Sequence, residues 1–229
     1  MMTDTIAENI HRVQDRMASA AVRSGRRIEE VALLAVTKRV SPHRILEAVE
    51  TGVESFGENY IQEALGKLGS PELKERSLAW HFIGHLQKNK AREAAGNFAL
   101  IQSVDSLPLA QAIGKRAVTL GITADILLEV KLDDSETKFG IAPHETADLV
   151  ARTTEIPGIQ LCGLMGMPPY STESEATRPY FRTLKRLFDN LPVANRHTLS
   201  MGMSGDFETA IEEGSTLVRI GTAIFGQRQ

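Results

Sequence analysis

The stretch VALLAVTK, Val31–Lys38, decides the fold. It is apolar on both faces, the pattern of a strand buried in a parallel sheet. Ser41-Pro42 follows at once as an N-cap and a first-turn proline, so a helix is expected to begin three residues after Lys38. A lysine at the carboxyl end of a buried strand stands where α/β folds place their chemistry. Partly desolvated there, its amine can lose its proton near neutrality and attack an aldehyde to form a Schiff base. A lysine can equally mark nothing more than the point where a strand meets water, so the meaning of Lys38 depends on the rest of the chain.

Outward from this stretch, strand and helix alternate without a break. Strands are predicted at Val31–Thr37, Val53–Gly57, Ala79–Gly84, Leu100–Val104, Asp125–Val130, Gln160–Met167, His197–Met203 and Leu217–Phe225. Between them lie helical stretches at Arg44–Thr51, Asn59–Leu68, Lys88–Ala95, Leu107–Leu120, His144–Thr154, Glu173–Asn190 and Phe207–Glu213. An amphipathic helix over Thr3–Arg23 precedes them all, with Ile6, Ile10, Val13, Met17 and Ala21 at helical spacing. Eight such units predict a single (β/α)8 TIM barrel over residues 1–229, with an extra N-terminal helix. A doubly wound open sheet is the alternative, and the absence of a glycine-rich dinucleotide turn counts against it.

Composition excludes several classes. The chain is 42% hydrophobic and 24% charged with net charge −3, and its basic residues are scattered along the sequence, so neither a nucleic-acid surface nor a membrane is expected as a partner. The N-terminus, MMTDTIAENI, has no apolar core of a signal peptide, and the one cysteine, Cys162, fits a reducing cytoplasm. Cys162 lies in an apolar strand pattern that suits inert packing. His81 and His85 are four apart on a strand, which offers no compact metal site, and no metal is expected.

A barrel gathers all strand carboxyl ends on one face. Following each strand to its end gives Lys38, Asn59, His85, Asp105, Lys131 with the loop to Lys138, Met165–Met167, Ser200–Gly205 and Arg219–Thr222. Strand seven runs into SMGMSGD, where Ser204 is a candidate N-cap, and strand eight into RIGT. Glycines admit close backbone approach, helix N-termini present unpaired N–H groups to an anion, and the loops after strands seven and eight are the usual phosphate site of this fold.

A Schiff-base lysine facing a phosphate cradle suggests pyridoxal 5′-phosphate (PLP). In AVTK, SFGENYIQE, WHFIGHLQKNK, LMGMP, LSMGMSGD and VRIGTAIFG the chain resembles the PLP homeostasis proteins, whose barrel is of the fold-type III, alanine racemase N-terminal kind. Thr37 stands where members commonly carry serine, and it keeps a hydroxyl. The resemblance implies that Lys38 carries PLP as a Schiff base, and that Ser204, Gly221 and Thr222 hold the phosphate with Ser200 lining that loop. It also implies that Arg219 faces the pyridine nitrogen and disfavours its protonation, which weakens the ring as an electron sink. Asn59 and His85 lie beside the expected ring, as ligands or as structural polar groups. Lys138 occupies a place resembling a racemase arginine loop, or is a solvated surface lysine. Racemases enclose their substrate with a further C-terminal domain, and the chain ends four residues after the predicted last strand. The expectation is therefore a monomeric vitamin B6 carrier without strong catalysis, whose partners are PLP and apo PLP-dependent enzymes. The alternatives are a PLP-dependent racemase or decarboxylase, and a Schiff-base aldolase without PLP.

Overall fold

The computed structural model describes residues 4–133 and 139–227. Eight parallel strands close into a barrel in chain order: β1 (Ala32–Val36), β2 (Ser55–Glu58), β3 (Ala79–Phe82), β4 (Leu100–Val104), β5 (Ala124–Lys131), β6 (Ile159–Met167), β7 (Thr198–Ser200) and β8 (Leu217–Ile220). The outer layer comprises α1 (Ile6–Arg23), α2 (Pro42–Glu50), α3 (Ile61–Leu68), α4 (Ala91–Ala94), α5 (Leu107–Leu120), α6 (Thr146–Thr153), α7 (Arg178–Asp189), α8 (Phe207–Glu212) and α9 (Thr222–Phe225). Among the described residues, no helix is long and apolar enough to cross a membrane.

The expected barrel is present, with local corrections. The last strand stops at Ile220, and TAIF forms a helical turn rather than continuing the strand. A short apolar run carries no periodicity that separates strand from helix. Here Gly221 breaks the extended backbone, and Ile224 and Phe225 then bury beneath α1. Strand seven is only three residues long, and the stretch from Lys88 begins as a 3-10 turn before α4. In β6, Gly163 adopts φ +147° at a register shift against β5, where Ile126 pairs with Leu161 and Leu127 with Gly163. A Cβ at Gly163 would lie 2.0 Å from the carbonyl oxygen of Thr198, so only glycine fits this bulge.

Helix α1 begins with a capping box, in which Thr5 Oγ1 accepts the Glu8 N–H at 3.2 Å and the Glu8 carboxylate accepts the Thr5 N–H at 2.7 Å. Its buried stripe of Ile6, Ile10, Val13, Met17 and Ala20 covers α8, α9 and the seam between β1 and β8. Inside the barrel, Leu100, Leu127, Cys162 and Met165 form a separate apolar plug.

Polar groups also cross the barrel interior. Arg219 Nη1 donates to Ser200 Oγ at 2.6 Å, Ser200 donates to Gln102 Oε1 at 2.6 Å, and Gln102 Nε2 donates to His81 Nδ1 at 2.9 Å. This chain requires a neutral His81, and burial lowers that imidazole's pKa to about 4. On the other side of the sheet, Glu58 is fully buried and faces Lys67 of α3. Lys67 Nζ donates to Glu58 Oε1 at 2.7 Å and to the Thr37 carbonyl at 2.6 Å, while Thr37 Oγ1 donates to the same Glu58 oxygen at 2.7 Å. Burial pushes the Glu58 carboxyl upward and Lys67 pulls it back. A buried ion pair broken on one side leaves a charge without compensation.

Two predictions follow from these buried groups. Lys67→Met should cost roughly 3–5 kcal/mol in unfolding free energy, and adding Glu58→Gln should recover part of it, as read by urea denaturation. His81 has a depressed folded pKa, so the unfolded chain binds more protons between about pH 6.5 and 4. Its contribution to stability is present above that window and lost as pH falls through it; His81→Gln should flatten the slope of unfolding free energy against pH there.

Candidate functional site

Lys38 sits in a sharp turn leaving β1. The Val40 N–H donates to the Thr37 carbonyl at 2.9 Å, closing the turn, and Arg39 takes a left-handed φ of +60°. Few residues with a Cβ adopt that conformation. Here the Arg39 N–H donates to the Glu63 carboxylate, which holds it. The turn leaves Lys38 half-buried at the carboxyl end of the barrel.

Across the seam, β8 ends at Ile220, and Gly221 turns the chain into α9. Lys38, Gly221 and Thr222 line one cavity of about 510 Å3, with Val36, Arg39 and Arg44 among its other walls. The first turn of α9 leaves N–H groups without intrahelical partners. One of them, that of Ala223, donates to Ser204 Oγ at 3.2 Å. Ser204 therefore ties the loop after β7 to the loop after β8 instead of capping α8. The N-cap of α8 is Asp206, whose Oδ1 accepts the Met203 N–H at 2.7 Å.

The remaining expected residues do not line this cavity. Ser200 and Arg219 are buried within the barrel, joined to each other as described. Arg219 also donates through Nη2 to the Gly166 carbonyl at 3.1 Å, and burial lowers its pKa to about 10, against the pull of Glu129 and Asp206. It remains a cation at neutral pH. Asn59 follows β2, and its Oδ1 is buried without a hydrogen-bond partner in the protein. Gly84, beyond β3, lets the chain pass against that residue, because a Cβ there would lie 2.1 Å from the Asn59 carbonyl oxygen. His85 is at the rim, stacked on Phe139 at 3.4 Å between ring centroids and 12° between planes, with Nδ1 3.7 Å from Asp105. Lys138 lies outside the described residues.

Five participants escape a reading by strand ends alone. Gln102 and His81 extend the interior chain from Arg219, and Lys67 with Glu63 braces the Lys38 turn. Glu129 is a further one. Burial pushes its carboxyl up to about 7, with Asp105 adding to the shift and Arg219 opposing it. Alternation along β5 could have placed Glu129 inside the barrel, since Leu127 two residues earlier belongs to the interior plug.

Chemically, the arrangement puts one amine and the backbone and hydroxyl of the Gly221-Thr222 turn on a single cavity, and a buried cation, Arg219, lies two residues before that turn. Residues 2–229 match the family described as alanine racemase, N-terminal domain. Pyridoxal phosphate homeostasis proteins of Aquifex aeolicus and Escherichia coli K12 are 45% and 41% identical to the chain, each aligned over 97% of it and over 98% and 97% of themselves. PipY of Synechococcus elongatus, solved with PLP bound, superposes with a TM-score of 0.82 at 34% identity, over 97% of this chain and all of PipY. Alanine racemase of Corynebacterium glutamicum, 18% identical with a TM-score of 0.68, shares the fold over 61% of its own length. The chain thus belongs to the pyridoxal phosphate homeostasis protein family, built on the alanine racemase N-terminal barrel.

Proposed function

We propose that this protein binds PLP at Lys38, holds it and releases it to apo-enzymes, contributing to PLP homeostasis without strong turnover of its own. The observation that carries this is the shared cavity: Lys38 and the Gly221-Thr222 turn border the same space of about 510 Å3. That volume is in the range of small-ligand sites, roughly 300–1,000 Å3. The residues present fit the group. A lysine amine suits an aldehyde, the backbone and hydroxyls after β7 and β8 suit a phosphate, and the unpartnered Asn59 Oδ1 offers a polar contact near the mouth. PipY supports the same assignment by analogy, being a relative whose structure holds PLP.

When bound, PLP supplies an aldehyde carbon and an electron-withdrawing pyridine. Lys38 would hold that carbon through Nζ. Thr222, Gly221 and Ser204 would hold the phosphate, with Ser204 also fixing α9 through Ala223. Ser200 keeps Arg219 in place. Placed against the pyridine nitrogen, Arg219 can donate but cannot give up a proton at neutral pH, so it leaves that nitrogen unprotonated. Arg219 in that role would weaken the group as an electron sink, which fits carriage rather than catalysis. One observation favours the rival racemase or decarboxylase reading. Glu129, with its carboxyl near 7, could move a proton in the physiological range.

Three outcomes are expected. Protein mixed with PLP should show a visible absorption band, borohydride should fix the adduct on Lys38 by peptide mapping, and Lys38→Ala should abolish the band while leaving the circular dichroism spectrum intact. Thr222→Ala or Ser204→Ala should weaken PLP at least about tenfold while leaving pyridoxal nearly unaffected, since a hydrogen bond to a charged acceptor is worth roughly 1.5–3 kcal/mol. PLP should pass to an apo-enzyme, measured by recovery of that enzyme's activity. Amino-acid turnover on the order of 1 s⁻¹ or faster by the protein itself would establish the rival reading.

A further inference from the structure

We infer that Glu63 and Lys67 are positioning residues for Lys38, acting through the two peptide groups that flank it; this rests on the PLP reading above. The carbonyl before Lys38 belongs to Thr37, and the N–H after it belongs to Arg39. Both are held from α3. Lys67 Nζ donates to the Thr37 carbonyl at 2.6 Å, and Glu63 Oε1 accepts the Arg39 N–H. Lys67 Nζ also donates to that same Glu63 oxygen at 2.6 Å. Arg39, Glu63, Lys67 and Thr37 therefore close a ring of polar contacts around the Lys38 backbone.

Each member of the ring is constrained in turn. A lysine ammonium has three donors. Those of Lys67 meet Glu58, Glu63 and the Thr37 carbonyl, and only 7% of its side chain is exposed. Lys67 is thereby committed to the brace, and Lys38 is the lysine that lines the cavity. Arg39 at φ +60° is in a backbone region that non-glycine residues keep only when surrounding contacts impose it. The Glu63 acceptor is such a contact. If it is removed, Arg39 can relax toward ordinary φ values, and rotation there redirects the Cα–Cβ bond of Lys38. Covalent capture depends steeply on that direction, because the amine must meet a carbon whose phosphate is already fixed across the seam.

A brace that only supported the fold would affect every ligand alike. The test therefore compares PLP with 4′-deoxypyridoxine 5′-phosphate, which keeps the ring and phosphate and lacks the aldehyde. Lys67→Met is expected to lose much stability, so Glu63 carries the experiment; its side chain is 25% exposed, and truncation buries no new charge. Glu63→Ala should bind PLP about tenfold more weakly and the deoxy analogue within about twofold of wild type, with Glu63→Gln restoring most of the loss through its amide oxygen. In a Lys38→Ala background, Glu63→Ala should have no further effect on either ligand. In the ligand-free protein, hydrogen exchange at the Arg39 amide should accelerate at least about tenfold in Glu63→Ala, as expected for loss of a protecting acceptor. Equal losses for both ligands, or a loss that persists without Lys38, would make the brace structural and overturn the inference. A wild-type protein that takes up no PLP would sink the functional reading instead, and the Arg39 exchange rate would then decide the brace: accelerated in its favour, unchanged against it.

Discussion

Closure of the barrel between its first and last strands is the constraint on which the site depends. Leu34 pairs with Arg219 and Ala35 with Ile220, and the Ala32 N–H donates to the Thr216 carbonyl at 2.8 Å. Because the strands are parallel, both chains leave the sheet at the same face, so Lys38 and Gly221 emerge as neighbours. Neither residue would have a partner for its chemistry in an open sheet ending at either strand. The seam is also well covered. Helix α1 lies over α8 and α9, Asn9 Nδ2 donates to the Ile224 carbonyl at 3.0 Å, and Arg16 pairs with Glu208 at 2.8 Å. The apolar stripe of α1 contributes most there, since exposed ion pairs add little.

Much of this was legible before the structure. A continuous apolar run such as VALLAVTK has few readings other than a doubly buried strand, and repeating it eight times between helical patterns leaves little besides a barrel. Barrel topology alone then identifies Lys38 and the Gly221-Thr222 turn as facing residues. Helix Leu107–Leu120 was expected with the bounds it has, because a proline near its start and Gly121 in the left-handed region at its end both mark limits. TAIF failed because four residues cannot display a period. The Lys67 brace is illegible in the sequence for a different reason. Lys67 reads as an ordinary polar position on an amphipathic helix, and nothing local records that its partner is a glutamate ending the preceding strand. Ser204 was placed in the correct loop, yet its hydroxyl is used across that loop, a relation set by tertiary contact.

Two sets of buried charge lie on opposite sides of the sheet, and their tasks differ. Glu58 with Lys67 fills the layer between strands and helices and bears on backbone geometry. Arg219 fills the interior, where Glu129 and Asp206 act on its charge. A sheet whose faces alternate strictly lets adjacent residues serve both, as Glu58 and Asn59 do at the end of β2. Among the described residues the two sets share no hydrogen bond, and the sheet keeps them in separate layers.

The interior chain that starts at Arg219 has a further consequence. A guanidinium can only donate, so Ser200 must accept from it and pass its own proton on to Gln102. Gln102 then has its oxygen facing serine and its nitrogen facing His81, and the imidazole must accept at Nδ1. One cation thus orders the protons along the whole row, much as a charged boundary orders a file of water molecules. The row is thus an oriented dipole inside the barrel, set by the residues that build it.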